Sequence, residues 1–412
     1  MNILFIHQNF PGQFKHLAPA LAATPDHQVA ALTPREGLSQ SWGGVKIFPY
    51  AIKRNSGKDT HPWLKDFETK TIRAEACFNA AMRVESSGFT PDLIIAHPGW
   101  GESLFLKEVW PHAKLGIYCE YYYRASGGDI GFDPEFPQLE IDTSCRMTLR
   151  NINNKLHFEI ADAAIAPTQW QANTFPSSFR DKIDVVHDGI DTDRLKPSDS
   201  SWIKLGNKLR ITKQDEVVTF INRNLEPLRG YHIFLRAVPE ILKRKKSVRI
   251  LIVGGDEVGY GGPNKEGKTW KEVFFEEFRT RVSADEMARV HFIGKLAYPD
   301  FVRLLQLSTV HVYLSYPFVL SWSLLEAMSL QCAIVACDTD PVKEVIEHNE
   351  TGKLVDFFDV NGLAASIISL LEDPQERQRL GQNARNLIVQ RYDLRRVSLV
   401  KQLDWVNKLS ES

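Results

Sequence analysis

Two arginines, a serine and a glutamate in the second half of the chain are spaced to grip a phosphorylated ligand. Arg223 and Arg229 flank a short loop that follows the apolar run EVVTFIN. Guanidinium groups bind phosphate oxygens bidentately and keep their charge. Ser321 stands just before the helical pattern WSLLEAMSLQ and can cap it. The start of a helix capped in this way favours an anion, phosphate above all. Glu326 falls about one turn inside that helix, within side-chain reach of a ligand held at its start. It sits in the densest apolar stretch of the chain, where an acid is rarely buried without a task. Two cations, a helix start and a carboxylate suit a diphosphate carrying a ribose, with the carboxylate on the ribose hydroxyls and the cations on the phosphates.

The first half offers a different set. His97 ends the strand DLIIAH, and Trp100 and Glu102 follow on the loop PGWGES. Gly12 lies between the strand NILFIH and a helix, FKHLAPALAAT. A side chain there would block a ligand, although plain turn chemistry accounts for the glycine equally well. Tyr121, Tyr122, Tyr123 and Arg124 form a cluster that could stack on a sugar or a prenyl chain, or pack into the core.

These residues need strands and helices to hold them. From Thr309 to Cys337 the chain reads strand, loop, helix, strand: TVHVYL, SYPFVLS, WSLLEAMSLQ, AIVAC. That is the βαβ unit of a parallel sheet. Apolar runs at NILFIH, QVAALT, DLIIAH, LGIYCE, AAIAP and KIDVVHDGID predict strands in the first half. EVVTFIN, which opens the second half, RILIVGG and VHFIG do so there. The pattern TIRAEACFNAAMRVES predicts a long helix and residues 148–161 another, while 34–65 is a polar, glycine-bearing stretch. The segment DGIDTDRLKP reads as a linker. Each half alternates strand and helix, which predicts an α/β chain of two doubly wound domains facing a cleft, 1–190 and 191–390, followed by a helical segment, 391–412. In open sheets of this kind ligands lie beyond the carboxyl ends of the strands, the edge that His97 occupies.

With 412 residues and 43% apolar content, the chain has room for two ordinary cores. A formal net charge of -1 argues against nucleic-acid binding by bulk charge. The basic run Lys243–Lys246 reads as a solvated helix end. No apolar stretch reaches membrane-spanning length, and the N-terminus reads as a strand rather than a signal peptide. Five scattered cysteines lack zinc spacing and point to reduced, mostly buried thiols in the cytoplasm. Asp338-Thr339-Asp340 spells a possible metal motif, yet it follows a parallel strand and precedes a helix, where a helix cap is expected.

The succession INRNLEPLRG, RILIVGGDE, RVHFIGKLAYPDF, YPFVLSWSLLEAM and AIVACDTDPVKEVIEHNETGKLV resembles the retaining GT-B glycosyltransferases of family 4. The resemblance is strongest over residues 185–390 and extends to NILFIHQNFPGQF, DLIIAHPGW and VVHDGID. It implies a GT-B fold of two Rossmann-like domains, the first for the acceptor and the second for the donor, with the last helix crossing back to the first. Arg223 and Arg229 would hold the donor diphosphate, Arg229 standing where a lysine is usual. Glu326 matches the second acid of the family's E-x7-E element and would bind the ribose. The first acid of that element falls on Phe318, so its sugar contact is absent or made by another group. Leu320 and Ser321 would offer backbone amides, His97 would touch the donor near the reacting centre, and Lys295 and Leu296 would lie near the base.

The implied reaction moves a hexose-type sugar from a nucleotide diphosphate donor to a hydroxyl, with retention. No cofactor or metal is implied beyond the nucleotide sugar as co-substrate. The acceptor would be a glycan, a lipid-linked group or a small molecule, with Trp100, Tyr121 and Tyr122 as candidate contacts. At most peripheral membrane contact is expected. Two competing readings remain. One is a non-catalytic nucleotide-sugar-binding partner of the same fold, motivated by Phe318. The other is a nucleotide-sugar epimerase or hydrolase, which needs an acid or base pair for which Glu102 and Glu120 are the candidates.

Overall fold

Runs such as ILFI, LIIA, VVTF and IVAC are buried along their whole length, because they lie inside parallel sheets covered on both faces. In this computed structural model the chain divides into two units, Met1–Gly189 with Leu394–Ser412, and Ile190–Asp393. Residues 1–137, 141–206, 209–264 and 266–411 are described.

The sheet of unit 1 is built from β1 (Asn2–Ile6), β2 (Gln28–Thr33), β3 (Ser41–Trp42), β4 (Val45–Pro49), β5 (Leu93–Ala96), β6 (Lys114–Tyr118), β7 (Ala163–Ala166) and β8 (Ile183–Val185). Their order is β3-β4-β2-β1-β5-β6-β7-β8, and all neighbours run parallel except β3 beside β4. Alternate residues feed two cores. Leu4 and Ile6 enter one with Cys77, Ala81 and Phe158. Ile3 and Phe5 enter the other with Phe14, Trp405 and Leu409. The second core therefore includes the Leu399–Glu411 helix, which lies against Gly116 of β6.

Unit 2 holds β11 (Val217–Asn224), β12 (Arg249–Gly255), β13 (Val290–Gly294), β14 (Val310–Tyr313), β15 (Ile334–Cys337) and β16 (Lys353–Val355), after an antiparallel pair β9 (Trp202–Leu205) and β10 (Leu209–Thr212). The parallel order is β13-β12-β11-β14-β15-β16. The chain moves outward from β1 to β4 and then returns to β5 beside β1. It does the same from β11 to β13 and then to β14 beside β11. Each return makes a switch point, the place where ligands lodge in such sheets.

Several expectations need correction. The polar stretch 34–65 holds two strands that its composition does not announce, β3 and β4, with Val45 and Ile47 buried. The second half does not open on EVVTFIN; the β9–β10 pair comes first. The long helix spans Lys65–Ser86, several residues longer than its apolar pattern. The single helix over 148–161 is two, Ile141–Arg150 and Ile152–Ile160. Asn151 sits at the break. Its amide accepts from Tyr123 N at 3.0 Å and donates to Tyr123 O at 2.7 Å, locking the chain there.

A Cβ added at Gly116 would lie 2.5 Å from Leu409 Cδ2 and 2.6 Å from the Trp405 ring. Gly116→Ala is therefore expected to cost about 1–3 kcal/mol through overpacking. It should also expose the last helix to protease. Urea denaturation with limited proteolysis measures both, and an unchanged midpoint would show that this helix yields at no cost.

Candidate functional site

In unit 2 the polar residues cluster just past β11 and β14. Arg229 closes a 3-10 turn, Pro227–Arg229, and is buried. Its Nη1 donates to Ser315 Oγ at 2.8 Å and to Val319 O at 3.3 Å, and its guanidinium lies 5.7 Å from the centre of the Phe318 ring. Ser321 caps the Trp322–Ser329 helix by accepting from Ser323 N. The amides expected to face a phosphate are partly spent, because Ser321 N–H already donates to the buried Tyr313 hydroxyl at 3.1 Å. Leu320 is buried. Glu326 is 7% exposed, and its Oε1 accepts from the Tyr298 hydroxyl at 2.7 Å. Burial, and then the Glu326 charge, hold the Tyr298 phenol in its protonated form.

Arg223 is exposed at the end of β11. Lys295, after β13, pairs with Glu257 at 2.8 Å, both side chains being open to solvent. Lys295 foremost, and Arg223 more weakly, hold the Glu257 carboxyl below the usual range. An acid the sequence did not single out thus stands among the cations. Leu296 lines a hollow of about 590 Å³ with Trp202, Ile203 and Arg303.

The glycine-rich loop after β12 is tied down by Glu226. Its buried carboxylate accepts from Tyr260 N at 3.3 Å and Gly261 N at 3.0 Å. The Tyr260 ring then rests on Phe318, centroids 5.1 Å apart. Where the resemblance implied an acid, the structure has an aromatic wall. Asp338 and Asp340 both pair with Lys343. Neither side chain caps the helix that follows; its N-cap is Thr339, which makes no side-chain cap, a correction to the expected role.

In unit 1 the register pairs Ile6 with Ala96, so His7 and His97 emerge side by side at the switch point. Their rings lie 5.3 Å apart. His97 is buried, its ring stacked between Trp100 at 4.5 Å and Tyr118 at 5.4 Å. Its Nδ1 accepts from Gly99 N at 3.2 Å, and its Nε2 lies 3.7 Å from Glu120 Oε2. His7 Nδ1 accepts from Asn9 N, which leaves the proton on Nε2 to donate to Gln13 Oε1 at 2.8 Å. Gln13 Nε2 in turn donates to Glu120 Oε1 at 3.0 Å. Burial works against the charge on Glu120, but His97, His7 and Gln13 outweigh it and hold the carboxyl below its usual range.

His7, Gln13, Glu226 and Tyr298 were missed in the sequence. The motif NILFIHQNFPGQF carried the signal for the first two. Gly12, at φ +49°, is required by its neighbour: a Cβ there would lie 2.3 Å from the His7 ring. Tyr121 is buried, bonded to Asp129 at 2.9 Å and stacked on Trp170, so it does not stand free as a platform. Tyr122 packs against Phe175. Glu102 is buried against Arg73 at 3.3 Å, and burial raises its carboxyl.

Two family models tile most of the chain: the glycosyl transferase family 4 group over residues 25–195, and glycosyl transferases group 1 over residues 204–387. The chain belongs to the family 4 glycosyltransferases. Among curated relatives of this glycosyltransferase is the D-inositol 3-phosphate glycosyltransferase of Corynebacterium efficiens. The two are 27% identical over 309 residues, 72% of this chain and 67% of that one. The phosphatidyl-myo-inositol mannosyltransferase of Mycolicibacterium smegmatis is 31% identical over 170 residues, 40% of this chain and 38% of that one. The similarity thus spans well under half of the mannosyltransferase. Anabaena HepE with UDP and glucose superposes at a TM-score of 0.67, with 19% identity and 99% of both chains covered. Sucrose-phosphate synthase from Thermosynechococcus elongatus gives 0.74, with 18% identity over the whole of both chains. At such identities the likeness is one of fold, and the fold is GT-B.

Burial lowers His7 to about 3 and His157, His187 and His311 to about 4. The unfolded chain takes up these protons near pH 6.5, whereas the folded glycosyltransferase does not. The stability they contribute is therefore complete above that pH and is lost as pH falls towards 4. Urea midpoints should drop between pH 7 and 4.5, and histidine NMR should show the four rings neutral at pH 5.5. Charged rings at that pH would contradict the assignment.

Proposed function

We propose that this glycosyltransferase moves a hexose-type sugar from a nucleoside diphosphate donor to a hydroxyl, with retention at the transferred carbon. Unit 2 binds the donor. The observation that carries the reading is Glu326, a carboxylate buried one turn into a capped helix and bonded to Tyr298. A buried acid with a hydroxyl partner suits a ribose diol. Arg223 and Arg229 take the diphosphate and, as the sugar bond breaks, the charge that develops on it, and Lys295 lies near the base.

Unit 1 supplies His97 and receives the acceptor. The names of the curated relatives suggest a cyclic polyol, free or carried on a lipid, as the acceptor class. Retention rests on the family resemblance, and no side chain is asked to act as a nucleophile; the leaving phosphate takes the proton of the incoming hydroxyl. The four buried free cysteines accord with a reducing cytoplasm. Among the described residues no helix is long and apolar enough to cross a membrane.

Glu326→Ala should weaken UDP or GDP binding by about 1.5–3 kcal/mol, the range for hydrogen bonds to a charged group, in a protein that stays folded. Calorimetric titration decides this, and unchanged affinity removes Glu326 from the site. Turnover with a panel of nucleotide sugars tests the transfer itself. Binding of free nucleotide without turnover of any donor would favour a non-catalytic partner, the reading to which the Phe318 wall lends weight. No metal is needed where arginines face the diphosphate, so activity should survive EDTA. Loss in EDTA with recovery in magnesium or manganese would return attention to Asp338 and Asp340.

A further inference from the structure

The His97 imidazole has nowhere to move. Trp100 and Tyr118 lie on its two faces, His7 meets it edge-on, and Gly99 N–H occupies its Nδ1. Its proton is therefore on Nε2, and Nε2 is buried without a hydrogen-bond partner among the described residues. A buried donor left unpaired costs about 1–3 kcal/mol, so its persistence calls for a partner that arrives later. The nearest group is Glu120 Oε2 at 3.7 Å, too far for a hydrogen bond.

Glu120 is the movable member of the pair. Its side chain is 36% exposed, against 2% for His97. Its other oxygen is held by Gln13, whose amide is oriented by His7, whose ring is oriented by Asn9 N–H. Each bond in this chain has a fixed direction, so Glu120 presents an acceptor towards Nε2. A tetrahedral hydroxyl oxygen that accepts from Nε2 and donates to the carboxylate separates the two by about 4.5 Å at ordinary bond lengths. The carboxylate has to yield by only about an ångström to admit it.

Resting on the transferase reading, we propose that Glu120 is a specificity-determining residue. With His97 Nε2–H as donor and Glu120 as acceptor, the pair reads one hydroxyl of a sugar or cyclic polyol, and Gln13 and His7 position the carboxylate. The hydroxyl belongs either to the transferred sugar or to the acceptor. Water cannot be told from such a hydroxyl by geometry, but only a substrate hydroxyl makes affinity depend on the pair. A carboxylate kept charged at neutral pH is an acceptor only, which fits its half of the pair.

The test uses the full chain labelled with ¹⁵N-histidine, titrated with UDP, UDP-glucose, GDP-mannose and myo-inositol, together with calorimetry. At least one sugar- or polyol-bearing probe should shift the His97 Nε2 signal, and UDP alone should not. In Glu120→Ala that shift should vanish and the affinity for that probe fall about 10- to 100-fold, the range for a hydrogen bond to a charged group. UDP affinity should stay as it is in the native protein. Glu120→Gln, which keeps an acceptor without the charge, should recover part of the loss, a rescue that a merely structural residue would not show. A response to the nucleotide sugars assigns the hydroxyl to the donor; a response to myo-inositol alone assigns it to the acceptor. If UDP and GDP fail to bind while myo-inositol still shifts Nε2, the donor reading falls and the hydroxyl pair stands. If no probe shifts Nε2, or if Glu120→Ala responds as the native protein does, the pair is overturned.

Discussion

A parallel sheet covered on both faces leaves a polar side chain one good place to stand, past the carboxyl ends of its strands. Everything before that point must be apolar or hydrogen-bonded, since burying an unpaired polar group costs several kcal/mol. β1, β5, β11 and β14 are almost wholly buried, and the polar pair inside them, Thr219 of β11 and His311 of β14, bond to each other at 2.9 Å. The other chemically versatile residues appear as each strand ends or just beyond: His7, His97, Arg223, and the loop from Leu314 to Ser321. The reversal of strand order at β1/β5 and at β11/β14 clears space at those ends. The site residues are therefore a consequence of the winding, and their neighbours are set by strand register.

Charge is handled differently at the two edges. In unit 2, Arg229 is buried and fastened by Ser315 and Val319, so its position is fixed before any ligand comes. Arg223 and Lys295 are open to water, and Lys295 is engaged by an equally open Glu257. An exposed pair of that kind is worth little and exchanges readily. Unit 2 thus combines one rigid cation with two adaptable ones. In unit 1 the polar residues form a directed chain from Asn9 through His7 and Gln13 to Glu120, which stands 3.7 Å from an imidazole held by aromatic rings.

What was legible in the sequence was local. The Ser321 cap and the place of Glu326 one turn later both follow from helix geometry within a few residues. The apolar runs marked most strands, and motif order suggested the family. What escaped was set by partners far along the chain. Tyr298 and Glu326 are 28 residues apart, and no local pattern foretells their bond. His7 meets His97 only because β1 and β5 pair with Ile6 opposite Ala96. β4 is hard to read because its run is short and ends in proline, and the break at Asn151 leaves no local mark because its bond to Tyr123 is tertiary. Tyr121 looked like a surface platform because a run of tyrosines says nothing about which ring turns inward.

The segment Leu394–Ser412 belongs with Met1–Gly189, while everything from Ile190 to Asp393 forms the other unit. Unit 2 is thus an insertion, entered at Ile190 and left at Asp393, two residues that bridge each other where the chain crosses, with Thr192 bonded to Asp393 beside them. A ribosome that releases this chain from its N-terminus finishes the inserted unit while the surrounding one still lacks its last helix. Trp405, Val406 and Leu409 fill the core beside Ile3 and Phe5, so that core stays open until the Leu399–Glu411 helix has emerged. Domains that close only with a segment made after an inserted unit pass through a stage of exposed apolar surface, the stage at which nascent chains most need protection.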